Sequence, residues 1–146
     1  MKIAIVNLSS ADDVRSILEH TNILQNNIVD AKIDLFIDDE LSLEIKEHKS
    51  VNNIFPLKLK NISVFDLNIK YDNIKYYARN KYDIAIDAQG SKTSAIVTYI
   101  LSGKTTGFKN KPFDFLYDER IEYSKESKYS DNIKELFIKT FGLDNK

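Results

Sequence analysis

Asp12 and Asp13 follow a small polar loop, Asn7-Leu8-Ser9-Ser10-Ala11, which itself follows the unbroken apolar run Ile3-Ala4-Ile5-Val6. Four apolar residues in a row read as a strand buried on both faces. A loop leaving the carboxyl end of such a strand is where open α/β sheets bind ligands. Asp13 is therefore the first candidate for chemistry, because a positioned carboxylate can take a proton from an attacking hydroxyl. The same pair also suits the first turn of a helix, where Asp caps well and meets the positive end of the macrodipole. A second polar turn, Gln89-Gly90, closes the run Ile84-Ala85-Ile86-Asp87-Ala88. Serines and glycine at such places are ordinary turn chemistry. On neighbouring strand ends, Ser9, Ser10, Gln89 and Gly90 would line one cleft. Lys58 and Lys60 follow the apolar segment around Ile54-Phe55; they are either solvated or able to hold an anion as point charges. His20 and His48 are the only histidines and cysteine is absent, so a metal site is not expected and disulfides are excluded.

The elements that must position these residues are legible as an alternation of strand and helix. Val14, Ile17, Leu18, Thr21, Leu24 and Ile28 recur at helical spacing, which predicts a helix entered through Asp12 or Asp13 and ending near Asn26 and Asn27. Residues 31–38 alternate into a second strand. Residues 39–48 read as a short helix, with Leu41, Leu43 and Ile45 only weakly periodic. A third strand centres on Ile54-Phe55, and Pro56 predicts that it ends there or lies at an edge. A longer helix is expected over 61–80, with Phe65, Leu67, Ile74, Tyr77 and Ala78 on its inner side. Residues 82–87 form the fourth strand, and 93–101 a helix closed by Gly103 at C′. Strands at 105–108 and 120–123 flank an irregular piece around Pro112, and a last helix over 131–141 ends at Gly142. This pattern predicts a doubly wound, mainly parallel Rossmann-like α/β sheet, with residues 1–146 forming one domain.

Composition narrows the function classes. A chain of 146 residues with 42% hydrophobic content can bury a real core. The formal net charge of −1 supplies no basic field for nucleic acid, which is not expected as a partner. Apolar runs are far too short to span a bilayer, no signal peptide precedes Lys2, and a soluble, cytoplasmic protein is the expectation.

The two polar turns carry a resemblance. Ser9-Ser10-Ala11-Asp12-Asp13-Val14 is similar to the Ser-Ser-x-Gly-Asp-Val turn that follows the first strand of the ADP-heptose:lipopolysaccharide heptosyltransferases, two-domain glycosyltransferases of the B type. Tyr82-Asp83-Ile84-Ala85-Ile86-Asp87-Ala88-Gln89-Gly90 resembles the family's strand ending in Asp-Ala-Gln-Gly, and the separation of the two motifs also follows the family. The resemblance is greatest to the heptosyltransferase I branch and covers the whole chain, but only the amino-terminal half of such an enzyme. It implies an acceptor-side domain that transfers heptose from ADP-heptose to a Kdo sugar of the lipid A inner core, with inversion and without a cofactor. Asp13 would be the base. The acceptor is of the Kdo-lipid A type, and the donor is held mainly by a second domain absent from this chain. Peripheral contact with the cytoplasmic face of the inner membrane follows.

Lys58 and Lys60 stand where the family carries a basic stretch suited to acidic sugars and lipid phosphates. Lys92 is one place before a family lysine, whose position here is Thr93. Lys111 and Arg120 fall in another basic region, and 128–132 match the family poorly, so nothing is carried over there. The family's glycine before the base is Asp12 here. Glycine would serve a left-handed turn, which Asp tolerates better than most residues, and the extra carboxylate repels an anionic acceptor. Two other readings use the same residues: a non-catalytic interaction domain of this fold, and a flavodoxin-like phosphoacceptor domain with its acidic pair after the first strand.

Overall fold

The computed structural model describes residues 1–59, 63 and 66–143. Among the described residues six strands and four helices follow in the order β1 (Lys2–Val6), α1 (Ala11–Asn27), β2 (Lys32–Asp38), β3 (Asn53–Leu57), α2 (Leu67–Ala78), β4 (Ile84–Asp87), α3 (Lys92–Leu101), β5 (Thr105–Phe108), β6 (Glu119–Ile121) and α4 (Tyr129–Thr140). The strands form one sheet in the order β3-β2-β1-β4-β5-β6, and every neighbouring pair is parallel. All carboxyl ends therefore lie along one edge, and the order reverses between β1 and β4. That order is the doubly wound dinucleotide-fold one, not the 2-1-3-4-5 of flavodoxin-like domains.

The apolar runs become strands because they are covered on both faces. Ile3 and Ile5 of β1, Ile33, Leu35 and Ile37 of β2, and Ile84 and Ile86 of β4 point to the side packed by α1 and α4. Ala4 and Val6, Phe36, and Ala85 alternate to the side packed by α2 and α3. The helical stripe of α1 puts Val14, Ile17, Leu18, Thr21 and Leu24 in the first layer. Ile133, Leu136 and Phe137 of α4 meet it there. The edge strands β3 and β6 are only half covered, and Pro56 lies on edge strand β3, opposite Ile37.

Three local expectations need correction. Residues 39–48 do not form a helix: a single 3-10 turn, Asp39–Leu41, gives way to turn and irregular chain. The cause is the spacing of two between Leu41, Leu43 and Ile45, which no helix face can collect. Ile45 enters the core while Leu43 is 84% exposed. The cap of α1 is Ser10, not Asp12 or Asp13, its hydroxyl accepting from the Asp13 N–H at 3.2 Å. Gly103 follows the extended C-cap Ser102 without the positive φ of a left-handed cap, whereas Gly142 has it, at φ 63°. The helix expected over 61–80 is seen as α2 from Leu67; Phe65 lies outside the described residues. Among the described residues no helix is long and apolar enough to cross a membrane.

Candidate functional site

The topological reversal between β1 and β4 brings the two polar turns together. Asn7, directly after β1, is fully buried. Its Nδ2 donates to the Tyr129 hydroxyl at 2.8 Å and reaches the Ala88 carbonyl at 3.4 Å. Its Oδ1 accepts from the Ser9 N–H at 2.9 Å and lies 2.7 Å from the Ser9 hydroxyl oxygen. That same hydroxyl is 2.7 Å from Oδ2 of Asp13. Gln89 closes the seam from the other side, its Oε1 accepting from the Leu8 N–H at 2.7 Å. Ser9, Asp13, Gln89 and Gly90 are thus brought into one constellation, and Ser10 anchors it as the α1 cap.

Asp13 occupies the third position of α1, half-exposed, at the helix end where a carboxylate is favoured by the unpaired N–H groups. Among the described residues only Oδ2 is engaged, which leaves Oδ1 without a hydrogen-bond partner. Asp12 points away: its side chain is 97% exposed and pairs with Arg15 at 3.4 Å. It lies in right-handed helix, and positive φ elsewhere falls only on Asp30, Lys81, Asn110, Phe113, Gly90 and Gly142 among the described residues. The expected left-handed turn at this position does not exist, so the missing family glycine costs the backbone nothing here.

Beneath the seam lies Asp87, the last residue of β4, with no exposed surface. Oδ1 accepts from the Gln89 and Gly90 N–H groups at 3.0 and 3.1 Å. Oδ2 accepts from the Ser94 hydroxyl at 2.9 Å and from the Tyr117 hydroxyl. Burial raises its pKa above the usual carboxylate value, and the four donors, Tyr117 foremost, pull the other way without cancelling that. The turn it grips needs Gly90: φ is +89°, and a Cβ there would overlap the Lys111 stem. Tyr129 is held neutral, its pKa raised by burial and then by the negative charge of Asp13.

The lysines fare differently. Lys58 is exposed just after edge strand β3, on the carboxyl edge but two strands away from β1. The structure does not bring it into the seam; at about 4.8 Å per strand it is on the order of 10 Å off. Lys60 lies outside the described residues. Lys92 and Lys111 flank the β4 turn instead, their ammonium groups 5.7 Å from the Phe113 ring centroid and 4.0 Å from that of Tyr123. Asn7, Asp87 and Tyr129 are the site residues that reading the sequence missed. A polar residue ending a buried apolar run marks the first two. Tyr129 reaches the site from 122 residues away, with no local signal. Among the described residues no group of three or more His, Cys, Asp or Glu could hold a metal ion. A groove of about 710 Å³ at the amino edge is lined by Tyr71, Tyr82 and Tyr99. Its carboxylate, Asp118, is taken up by Thr105.

Fold and seam together define a Rossmann-like domain of the kind found in B-type glycosyltransferases. More particularly, the chain resembles the lipopolysaccharide heptosyltransferases. It is 28% identical over 145 residues to lipopolysaccharide heptosyltransferase 1 of Campylobacter coli, covering 98% of this chain and 40% of that protein. With lipopolysaccharide heptosyltransferase 1 of Salmonella typhimurium the identity is 26% over 155 residues, covering 99% and 49%. The structure of E. coli heptosyltransferase WaaC with ADP-2-deoxy-2-fluoro heptose matches with a TM-score of 0.82 at 24% identity, over 97% of this chain and 49% of that one. No protein-family profile matches. The chain spans about half the length, or less, of the curated relatives it matches.

Proposed function

We propose that this chain is the amino-terminal, acceptor-side domain of a heptosyltransferase that moves heptose from ADP-heptose to a Kdo sugar of the lipopolysaccharide inner core. The observation that carries the reading is Asp13. Its Oδ2 is fixed by Ser9 at the point where strand order reverses, and its Oδ1 is open. In the reaction an acceptor hydroxyl gives its proton to Oδ1 while its oxygen bonds to the anomeric carbon. The bond from that carbon to the diphosphate oxygen breaks, ADP leaves with the electron pair, and the configuration inverts. General-base catalysis of this kind contributes about 10²- to 10⁴-fold.

The donor belongs mainly to a second domain. The loop after β1 has no glycine-rich G-x-G-x-x-G pattern that would cradle a diphosphate. Lys58 and the exposed carboxyl edge are offered to an anionic acceptor at the inner face of the membrane, and the resemblance adds Lys60 to that basic stretch.

The test is Asp13→Asn in the complete gene product, assayed for heptose transfer to a Kdo-lipid A acceptor. The expected loss is at least about 100-fold in kcat with acceptor KM little changed. Full activity in the variant would remove Asp13 from the mechanism. Acceptor binding without transfer, by the unmutated protein, would replace catalysis with the interaction-domain reading.

A further inference from the structure

We propose that Tyr129, acting through Asn7 and Ser9, is a positioning residue for the Asp13 carboxylate. The inference rests on the reading of Asp13 as the base, and extends it to a helix at the far end of the chain.

The contacts form an unbroken line across the β1–β4 seam. The Tyr129 hydroxyl donates to the Ala88 carbonyl and accepts from Asn7 Nδ2 at 2.8 Å. Asn7 Oδ1 then takes the Ser9 N–H at 2.9 Å, and the Ser9 hydroxyl stands 2.7 Å from both Asn7 Oδ1 and Asp13 Oδ2. The backbone partners fix the Tyr129 and Asn7 assignments, and the one Ser9 hydroxyl proton faces two acceptors, Asn7 Oδ1 and Asp13 Oδ2. The carbonyl of Ala88 can only accept, so the Tyr129 hydroxyl donates there and must accept from Asn7. That fixes the Asn7 amide with Nδ2 toward Tyr129 and Oδ1 toward Ser9. Only an acceptor at that place suits the Ser9 N–H, so the amide cannot flip without losing two hydrogen bonds. Ser9 is thereby pinned at its backbone, which holds its hydroxyl within hydrogen-bond reach of Asp13 Oδ2.

The outcome is a division of labour between the two oxygens of one carboxylate. Oδ2 keeps its hydrogen bond while Oδ1 is charged and also after it has accepted a proton, so the base does not rotate during the reaction. Tyr129→Phe removes the hydroxyl that accepts from Asn7 Nδ2 at 2.8 Å, and so loosens the Asn7 amide and Ser9 without touching Asp13. A base misplaced by a fraction of an ångström loses rate more than affinity.

Two measurements test this. In the 146-residue chain, the side-chain carbonyl ¹³C resonance of Asp13 is expected to move in Tyr129→Phe and in Ser9→Ala, to stay in Ser9→Thr, and to stay in Tyr76→Phe on the outer side of α2. In the complete gene product, Tyr129→Phe and Ser9→Ala are each expected to lower kcat by about 10- to 100-fold with KM within about 2-fold. The double variant should lose little more than the worse single one, because both act through one line of contacts. An Asp13 resonance indifferent to Tyr129→Phe while the fold is retained overturns the proposal, as does a fully additive double variant. Failure of the transferase reading is seen separately, as no transfer by the unmutated protein; the resonance experiment still decides the coupling.

Discussion

Asp87 shows how a buried charge sets the pH response of the seam. It has no exposed surface, and its two oxygens accept from four donors, Gln89 N, Gly90 N, Ser94 and Tyr117. Burial nevertheless raises its folded-state pKa above the unfolded value of 3.8. The folded state therefore binds this proton more tightly than the unfolded one. Stability contributed by the protonated form is present at low pH and is lost as pH rises through the raised folded-state value. In Asp87→Asn the amide oxygen keeps the two backbone N–H groups, and Nδ2 faces two hydroxyls able to accept. The variant should fold and lack this dependence. Urea unfolding of both proteins at several pH values from about 4 to 7 should show wild-type stability falling relative to the variant. A difference that is flat with pH would mean that Asp87 titrates as it does in the unfolded chain.

At the scale of elements, the tie between β4 and β5 depends on one missing side chain. Tyr117 follows a 3-10 turn, Asp114–Leu116, and lays its ring across Gly107 of β5 so that its hydroxyl meets Asp87 of β4. A Cβ on Gly107 would come within 3.0 Å of three ring carbons. Gly107→Ala is expected to cost about 1–3 kcal/mol in urea unfolding, by forcing the ring off its seat. Combined with Tyr117→Phe, which removes the hydroxyl from the same contact, the loss should fall short of the sum. An additive pair would place the clash elsewhere. This tie was not legible in the sequence, since nothing near Gly107 announces an aromatic ring ten residues on. The central strands were, through the unbroken apolar run of β1, the alternation of Ile33, Leu35 and Ile37 in β2, and the run Ile84-Ala85-Ile86 of β4. The stretch 39–48 misled because Leu41 and Ile45 are four apart, as on one helix face, while Leu43 between them falls on the other side and is exposed. Asp13 was legible through its motif, but the side chains that hold it were not. Asn7 looked like loop, and Tyr129 is joined to it only by the folding of α4 onto α1.

For the whole molecule, parallel strands send every carboxyl end to one edge, and the two edges are finished differently. At the amino edge the carboxylates are taken up within the fold: Asp34 accepts from Tyr82 at 2.6 Å and from Asn53 at 2.9 Å, and Asp83 accepts from the Lys2 N–H at 2.7 Å. The carboxyl edge carries the seam, an open carboxylate oxygen and exposed Lys58. Two apolar layers, one under α1 and α4 and the other under α2 and α3, give the sheet a core on each face without help from another domain. We therefore expect the 146-residue chain to fold alone and, on the proposed reading that a second domain holds the donor, to catalyse nothing alone. Folding is read from urea unfolding followed by far-UV circular dichroism and by tyrosine fluorescence, which the absence of tryptophan leaves unmasked. Coincident transitions mark one cooperative unit. Catalysis is read as ADP release from ADP-heptose in the presence of acceptor, expected to stay at the uncatalysed rate. Release above that rate by the isolated chain would locate a donor site on this domain. Transitions that separate would mean that one of its two layers needs a partner to hold it.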